Sequence, residues 1–142
     1  MNSARTSTLA TLRGTIGRLE GEPDGLARVG LGHASVDAVL QGGLVRGALH
    51  EVFAEGGRHG AAATGFIAGL AHRLIGRRPL IWVQQDFAQR ESGTLSMSGL
   101  NELGLDPRLL VTVRTKDAET ALRAASDALA CDALGAVVLD VW

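Results

Sequence analysis

Cysteine, lysine and long apolar runs are scarce in this chain of 142 residues. Cys131 is the single cysteine, which excludes an intramolecular disulfide and a cysteine-based zinc cluster and favours a small buried apolar role. The longest central window without a charged residue or histidine, 60–71, is too short to span a bilayer. The net charge of −1 provides no general attraction to DNA or anionic lipid. A cytoplasmic location is expected, because reducing compartments suit a chain without disulfides.

The N-terminal stretch combines arginine with apolar residues at helical spacing. Its three arginines precede the first acidic residue, Glu20, a composition that organellar transit peptides share. The alternative is an amphipathic helix over about residues 3–19, which we favour because apolar side chains recur every three or four positions. These candidate partner-binding residues are Leu9, Leu12, Ile16 and Leu19. The stretch Gly21–Gly25 predicts a linker, so the expected division is an N-terminal helical arm, 1–24, and a core, 25–142.

Apolar segments alternate with helical patterns along the core. Residues 31–47 predict closely spaced turns and a short helix over 36–40 that Ser35 caps. Strands are predicted at 49–54, 80–83, 109–113 and 135–140, and helices at 61–76, around 100–103 and after Thr115 or Asp117. The predicted inner faces of the two longer helices are Phe66, Ile67, Leu70, Ala71, Leu74 and Ile75, and Ala118, Ala121, Leu122, Ala125 and Leu129. This alternation indicates an α/β fold with a parallel sheet covered on both faces.

The stretch 49–76 has the layout of a phosphate-binding P-loop without the reactive side chains. A predicted strand is followed by a glycine-rich turn and then by a helix. A working loop reads G-x-x-x-x-G-K-[ST], in which the lysine reaches the outer phosphates and the hydroxyl holds magnesium. Ala61 and Ala62 follow the last glycine here, and no lysine precedes position 116. The candidate residues of this vestigial loop are Gly56, Gly57, Arg58 and Gly60.

The missing side chains decide what such a loop can bind. Each charged hydrogen bond from the absent lysine would contribute ~1.5–3 kcal/mol, so the loss of two weakens phosphate binding by roughly 3–6 kcal/mol, or about two to four decades. Glu55 adds repulsion toward phosphate, and Arg58 offsets only part of this deficit. A simple strand-to-helix connection remains the alternative interpretation of the turn.

Four features in succession resemble the RecA family of recombinase ATPases. The first is the segment Asp37-x-x-Leu40-x-Gly42-Gly43-Leu44-x-x-Gly47, and the second is the glycine turn with its helix. The third is a strand ending in Gln84-Gln85-Asp86, and the fourth is an apolar strand ending in Asp140, in the form of a Walker B strand. Leu103-Gly104-Leu105-Asp106-Pro107 also resembles that family's approach to its third strand. The resemblance implies a RecA-like P-loop-type sheet from about residue 30 onward.

Three shorter segments resemble the inducible mutagenesis protein A (ImuA) family, an offshoot with a degraded RecA-like core. They are His50–Ala54, Ala61–Phe66 and Val138–Trp142. The resemblance implies an accessory role in SOS-induced translesion synthesis. The implied partners are the Y-family-like polymerase homologue ImuB and an error-prone replicative-type polymerase, with RecA as a further candidate partner; direct DNA binding stays open. It also implies a further strand after the Walker B strand, so we expect the chain to be a fragment or a truncated product. The alternatives are that the first and last strands pair directly, or that a partner supplies the missing strand.

Two carboxylates complete the candidate site. Asp140 matches the Walker B aspartate, and Asp86 falls near the position of the RecA family's water-activating glutamate. Without the lysine and hydroxyl of the loop, we expect no catalytic residue, no ATP or magnesium cofactor and no enzymatic activity. The structural alternative is that Asp140 caps an adjacent loop. A SulA-like inhibitor of cell division and a RecA-like DNA-dependent ATPase are the alternative functions.

Overall fold

A computed structural model describes residues 11–12 and 27–141 of the chain. The chain divides after Gly47 into two units, Met1–Gly47 and Ala48–Trp142. Thr11 and Leu12 are helical, and the Leu12 side chain is exposed. The rest of the predicted N-terminal helix, including Leu9, Ile16 and Leu19, lies outside the described residues, and so does the predicted boundary at residue 24.

In the first unit, one carboxylate and one guanidinium organise a short hairpin around a helix. The elements are β1 (Arg28–Val29), α1 (Ala34–Val39) and β2 (Leu44–Val45), and the two strands pair antiparallel. The Asp37 carboxylate accepts hydrogen bonds from the backbone N–H groups of Leu31 at 2.7 Å and Gly32 at 3.1 Å. The Arg28 guanidinium donates to the carbonyl oxygens of Leu40 and Gly43. These bonds hold the ends of the turn together with little buried apolar surface.

The predicted helix of this unit begins earlier than expected. Helix α1 starts at Ala34, so Ser35 lies inside the helix and the prediction that it caps residues 36–40 is wrong. The Ser35 hydroxyl instead lies 3.0 Å from Nδ1 of His33, the residue at the N-cap position. The Ser35 hydroxyl therefore contacts the side chain of the residue just before the helix, in place of the backbone N–H that a capping serine would contact.

The second unit is a three-stranded parallel sheet with helices on both faces. The strands lie in the order β4–β3–β5, and β3 pairs in parallel with both neighbours. The elements are a 3₁₀ turn (Gly57–His59), α2 (Gly60–Ile75), β3 (Leu80–Gln85), α3 (Asp86–Ser92), α4 (Met97–Glu102), a second 3₁₀ turn (Pro107–Leu109), β4 (Leu110–Thr115), α5 (Ala118–Leu129) and β5 (Ala136–Asp140). The predicted α/β class and parallel sheet are therefore confirmed, whereas α3 is a helix that the sequence pattern did not predict.

Alternate side chains of β3 enter two separate cores. Leu80 and Trp82 pack against α2, together with Leu100 and Leu105 from the segment around α4. Val83 packs on the opposite face against the alanines of α5. Trp82 is buried, and the predicted covering of both sheet faces is confirmed, because α2 packs on one face of β3 and α5 on the other.

The strand predicted at 49–54 is absent, and this prediction is wrong. Those residues lie outside the strands of the structure, with the side chain of Leu49 90% exposed and that of Phe53 85% exposed. A strand is stable only when neighbouring strands satisfy its backbone groups and pack its side chains. The alternating apolar pattern of 49–54 is typical of a strand, but within the described residues no neighbouring strand pairs with this segment.

The helices bury small residues in place of several predicted large ones. Helix α5 packs through a stripe of alanines, with Ala121 fully buried, while Leu122 and Leu129 are exposed. The predicted burial of these two leucines and of Phe66 on α2 is therefore wrong. A stripe of alanines lets the helix axis approach the sheet closely, which turns the leucines outward. Cys131, predicted to be buried, is also exposed, because it follows the end of α5.

The N-terminus of α5 provides a pH-dependent contribution to stability. The Asp117 carboxylate accepts a hydrogen bond from the backbone N–H of Thr120 at 2.8 Å. Hydrogen bonding to the side chain and then the backbone of Thr120 lowers the pKa of Asp117 below its ordinary value. A lowered folded-state pKa means that the cap stabilises the fold fully above the unfolded pKa of about 3.9, and that this stabilisation is lost as the pH falls through the folded pKa.

We therefore expect Asp117→Ala to lower the urea midpoint at neutral pH and to lower it less as the solution is acidified. Urea unfolding of both proteins at a series of pH values measures the difference. Asp127→Ala is the control, since it removes an exposed carboxylate from the same helix without removing the cap. A difference for Asp117→Ala that is independent of pH would contradict the capping role.

The polar row of the sheet and the glycine turn

Three polar side chains form a row across the carboxyl end of the sheet. Gln84 of β3 is the register partner of both Arg114 on β4 and Asp140 on β5. Paired residues of neighbouring strands point to the same face, and in this row that is the face on which Trp82 packs against α2. The carboxyl edge of a parallel sheet is where open α/β folds place their ligand sites. This polar row is therefore the candidate site that the strands build.

Each carboxylate near the polar row already has a protein partner. Gln84, which is 8% exposed, donates from Nε2 to Oδ2 of Asp140 at 3.1 Å. Asp86, the first residue of α3, forms an ion pair with Arg114 at 3.0 Å between Oδ1 and Nη2. Both side chains of that ion pair are partly exposed, so its contribution to stability is small.

The structure thus places both sequence-predicted carboxylates at one edge of the sheet, beside Gln84. Arg114, the outer member of the polar row, was not predicted from the sequence as a site residue. A charged residue directly after the apolar run 109–113 was the available signal, but only the strand register shows that it faces Gln84. Asp140 is the polar end of β5, as the structural alternative predicted. Its carboxylate, however, bonds to Gln84 of the neighbouring strand and not to an adjacent loop.

The glycine turn uses several of its own backbone donors. The N–H of Gly56 donates to the carbonyl oxygen of Ala54 at 2.9 Å, and the N–H of His59 donates to that of Gly56 at 3.1 Å. The N–H of Gly60 donates to the carbonyl oxygen of Gly57 within the 3₁₀ turn. A phosphate cradle needs successive N–H groups that point outward to the anion. These three donors are directed inward, and the side chains of residues 55–59 lie at the surface.

The glycine turn lies at the N-terminal end of α2. Ile75, at the other end of α2, packs against Gly135, directly before β5, so the C-terminal end of the helix lies beside the start of that strand. Gly56, Gly57 and Arg58 precede α2 and Gly60 begins it, so these four residues lie outside the strands that carry the polar row.

Three buried polar atoms of the described residues have no protein partner. They are Nε1 of Trp82, Oε1 of Gln89 and Oγ1 of Thr115. Thr115 pairs with Gln85, one residue beyond the polar row, so its side chain points toward the α5 face. An unsatisfied buried hydroxyl costs about 1–3 kcal/mol. The carboxyl end of β4 is therefore less completely hydrogen-bonded than the polar row beside it.

Neither a cluster of metal-ligating side chains nor a membrane-spanning helix is found among the described residues. Within 11–12 and 27–141, no three side chains of histidine, cysteine, aspartate or glutamate are grouped closely enough to hold a metal ion. In the same part of the chain, no helix combines the length and the apolar character that crossing a bilayer requires. The contacts shown at this edge of the sheet are two separate pairs, Gln84 with Asp140 and Arg114 with Asp86.

Comparison with known proteins gives no relative: no family model, curated protein or solved structure matches this chain.

Proposed function

We propose that this chain is a non-catalytic RecA-like protein of the ImuA type that serves as an accessory in SOS-induced translesion synthesis and acts through protein contacts in the cytoplasm. The observation that carries the proposal is the state of the glycine turn. Its N–H donors at Gly56, His59 and Gly60 bond within the turn, and alanines follow where a lysine and a hydroxyl would be required. A turn of this kind keeps the position of a nucleotide loop without its ability to bind phosphate.

The sheet supports the RecA-like part of the proposal. A parallel sheet follows the glycine turn and α2, and its last strand ends in Asp140. In the RecA family a further strand lies beside the Walker B strand, and β5 occupies an edge of the sheet that the described residues form. The polar segment 84–86 ends the central strand, as in the sequence resemblance.

The residues at the polar row do not fit a magnesium–nucleotide site. Magnesium at a P-loop is bound by a hydroxyl of the loop and a Walker B carboxylate, together with phosphate oxygens and water. Here one oxygen of Asp140 accepts the amide of Gln84, Asp86 is paired with Arg114, and the loop offers no hydroxyl. No step of a hydrolytic reaction is therefore assigned to these residues.

Exposed apolar side chains support action through protein contact. Leu49 and Phe53 are almost fully exposed before the glycine turn, and Phe66 is exposed on α2 after it. Clusters of exposed apolar residues mark interaction surfaces more often than single ones do. The partners that the resemblance implies are ImuB, an error-prone replicative-type polymerase and RecA, and the arm residues Leu9, Leu12, Ile16 and Leu19 are the proposed second contact.

A nucleotide titration tests the non-catalytic part of the proposal. We expect neither saturable binding of ATP with magnesium nor phosphate release above background, with or without single-stranded DNA, because the loop lacks the lysine and the hydroxyl and three of its N–H donors bond within the turn. Isothermal titration and a phosphate-release assay measure the two quantities. Micromolar dissociation accompanied by magnesium-dependent turnover would contradict the proposal and favour the DNA-dependent ATPase.

A matched variant separates the two causes of weak binding. Ala61→Lys combined with Ala62→Thr restores the missing side chains but leaves the hydrogen bonds of the turn unchanged. We expect this double variant still not to saturate with ATP, because the donors at Gly56, His59 and Gly60 remain bonded within the turn. Saturable binding by the double variant would show that the missing side chains alone account for the deficit.

Affinity capture from DNA-damaged cells tests the accessory role. We expect the tagged chain to recover a polymerase-associated partner after damage, and expect recovery to fall when Phe53, which is exposed, is changed to Asp. Leu129→Asp is the control, because it introduces the same charge at an exposed leucine on α5. Recovery of no polymerase-associated protein would count against the role, and filamentation of cells on overexpression would favour the SulA-like alternative.

A further inference from the structure

We draw no further inference here: the strongest candidate, the buried Thr115 hydroxyl where β4 leads into the N-terminus of α5, points to no ligand, because the protein itself covers that hydroxyl and the carboxylates of Asp117 and Glu119 make the first turn of the helix unfavourable for an anion.

Discussion

Leu80→Ala is expected to lower the free energy of unfolding by about 2–5 kcal/mol, as truncation of a fully buried leucine does. Leu80 is fully buried at the start of the central strand, where it contacts α2 and the residues around α4. The lost contacts with these neighbours and the cavity left behind act together. Folded domains have total stabilities of about 5–15 kcal/mol, so this single change removes a large fraction. Urea unfolding followed by circular dichroism measures the difference.

Leu129→Ala serves as the control for that experiment. The same chemical change is made at a side chain that is 74% exposed on α5, so its effect on stability is expected to lie within about 0.5 kcal/mol. If the two variants unfolded at the same urea concentration, the assignment of Leu80 to the core of the sheet would be wrong.

Gly135→Ala is expected to destabilise the protein by about 1–3 kcal/mol through overpacking. A Cβ atom at this position would lie 2.7 Å from Cβ and 2.8 Å from Cα of Ile75, so α2 or the start of β5 must move. Movement is resisted because the N–H of Gly135 also donates to the carbonyl oxygen of Pro79 at 2.8 Å. Thermal and urea unfolding measure the loss.

Gly69→Ala is the matched control, and its expected effect has the opposite sign. Gly69 lies inside α2, and an added Cβ meets no atom within 4 Å. Alanine is the better helix former by about 0.8–1.0 kcal/mol, so the variant is expected to be more stable than the wild type. Equal destabilisation by both alanines would show that close packing at Gly135 is not the cause.

The sequence predicted the elements whose patterns are local. The apolar runs of β3, β4 and β5, the 16-residue α2 and the Asp117 cap are found close to their predicted positions, because periodicity and capping residues act over a few neighbouring positions. Helix α3 was missed because the polar stretch after Gln85 has no apolar period, and the helix is stabilised mainly where Ala88 is buried.

The candidate site was predictable in composition but not in its contacts. Asp140 and Asp86 were singled out by their resemblance to the Walker B aspartate and to the water-activating glutamate of the RecA family. Their partners depend on strand register, which brings Arg114 and Gln84 into the row. The hydrogen bonds within the glycine turn depend on its backbone conformation, which the sequence of a glycine-rich stretch does not specify.

The amino-acid sequence by itself determined the α/β alternation and the lack of a lysine and a hydroxyl after the glycine turn. Only the tertiary structure decided that residues 49–54 leave the sheet, that α5 packs through its alanines and that each carboxylate of the site has a partner. The physical reason is that the local sequence pattern determines which secondary structure a segment can form. Strand pairing and side-chain burial also require another part of the molecule to pack against. Leu49 and Phe53 have the pattern of a strand, but in the structure no strand lies beside them within the described residues.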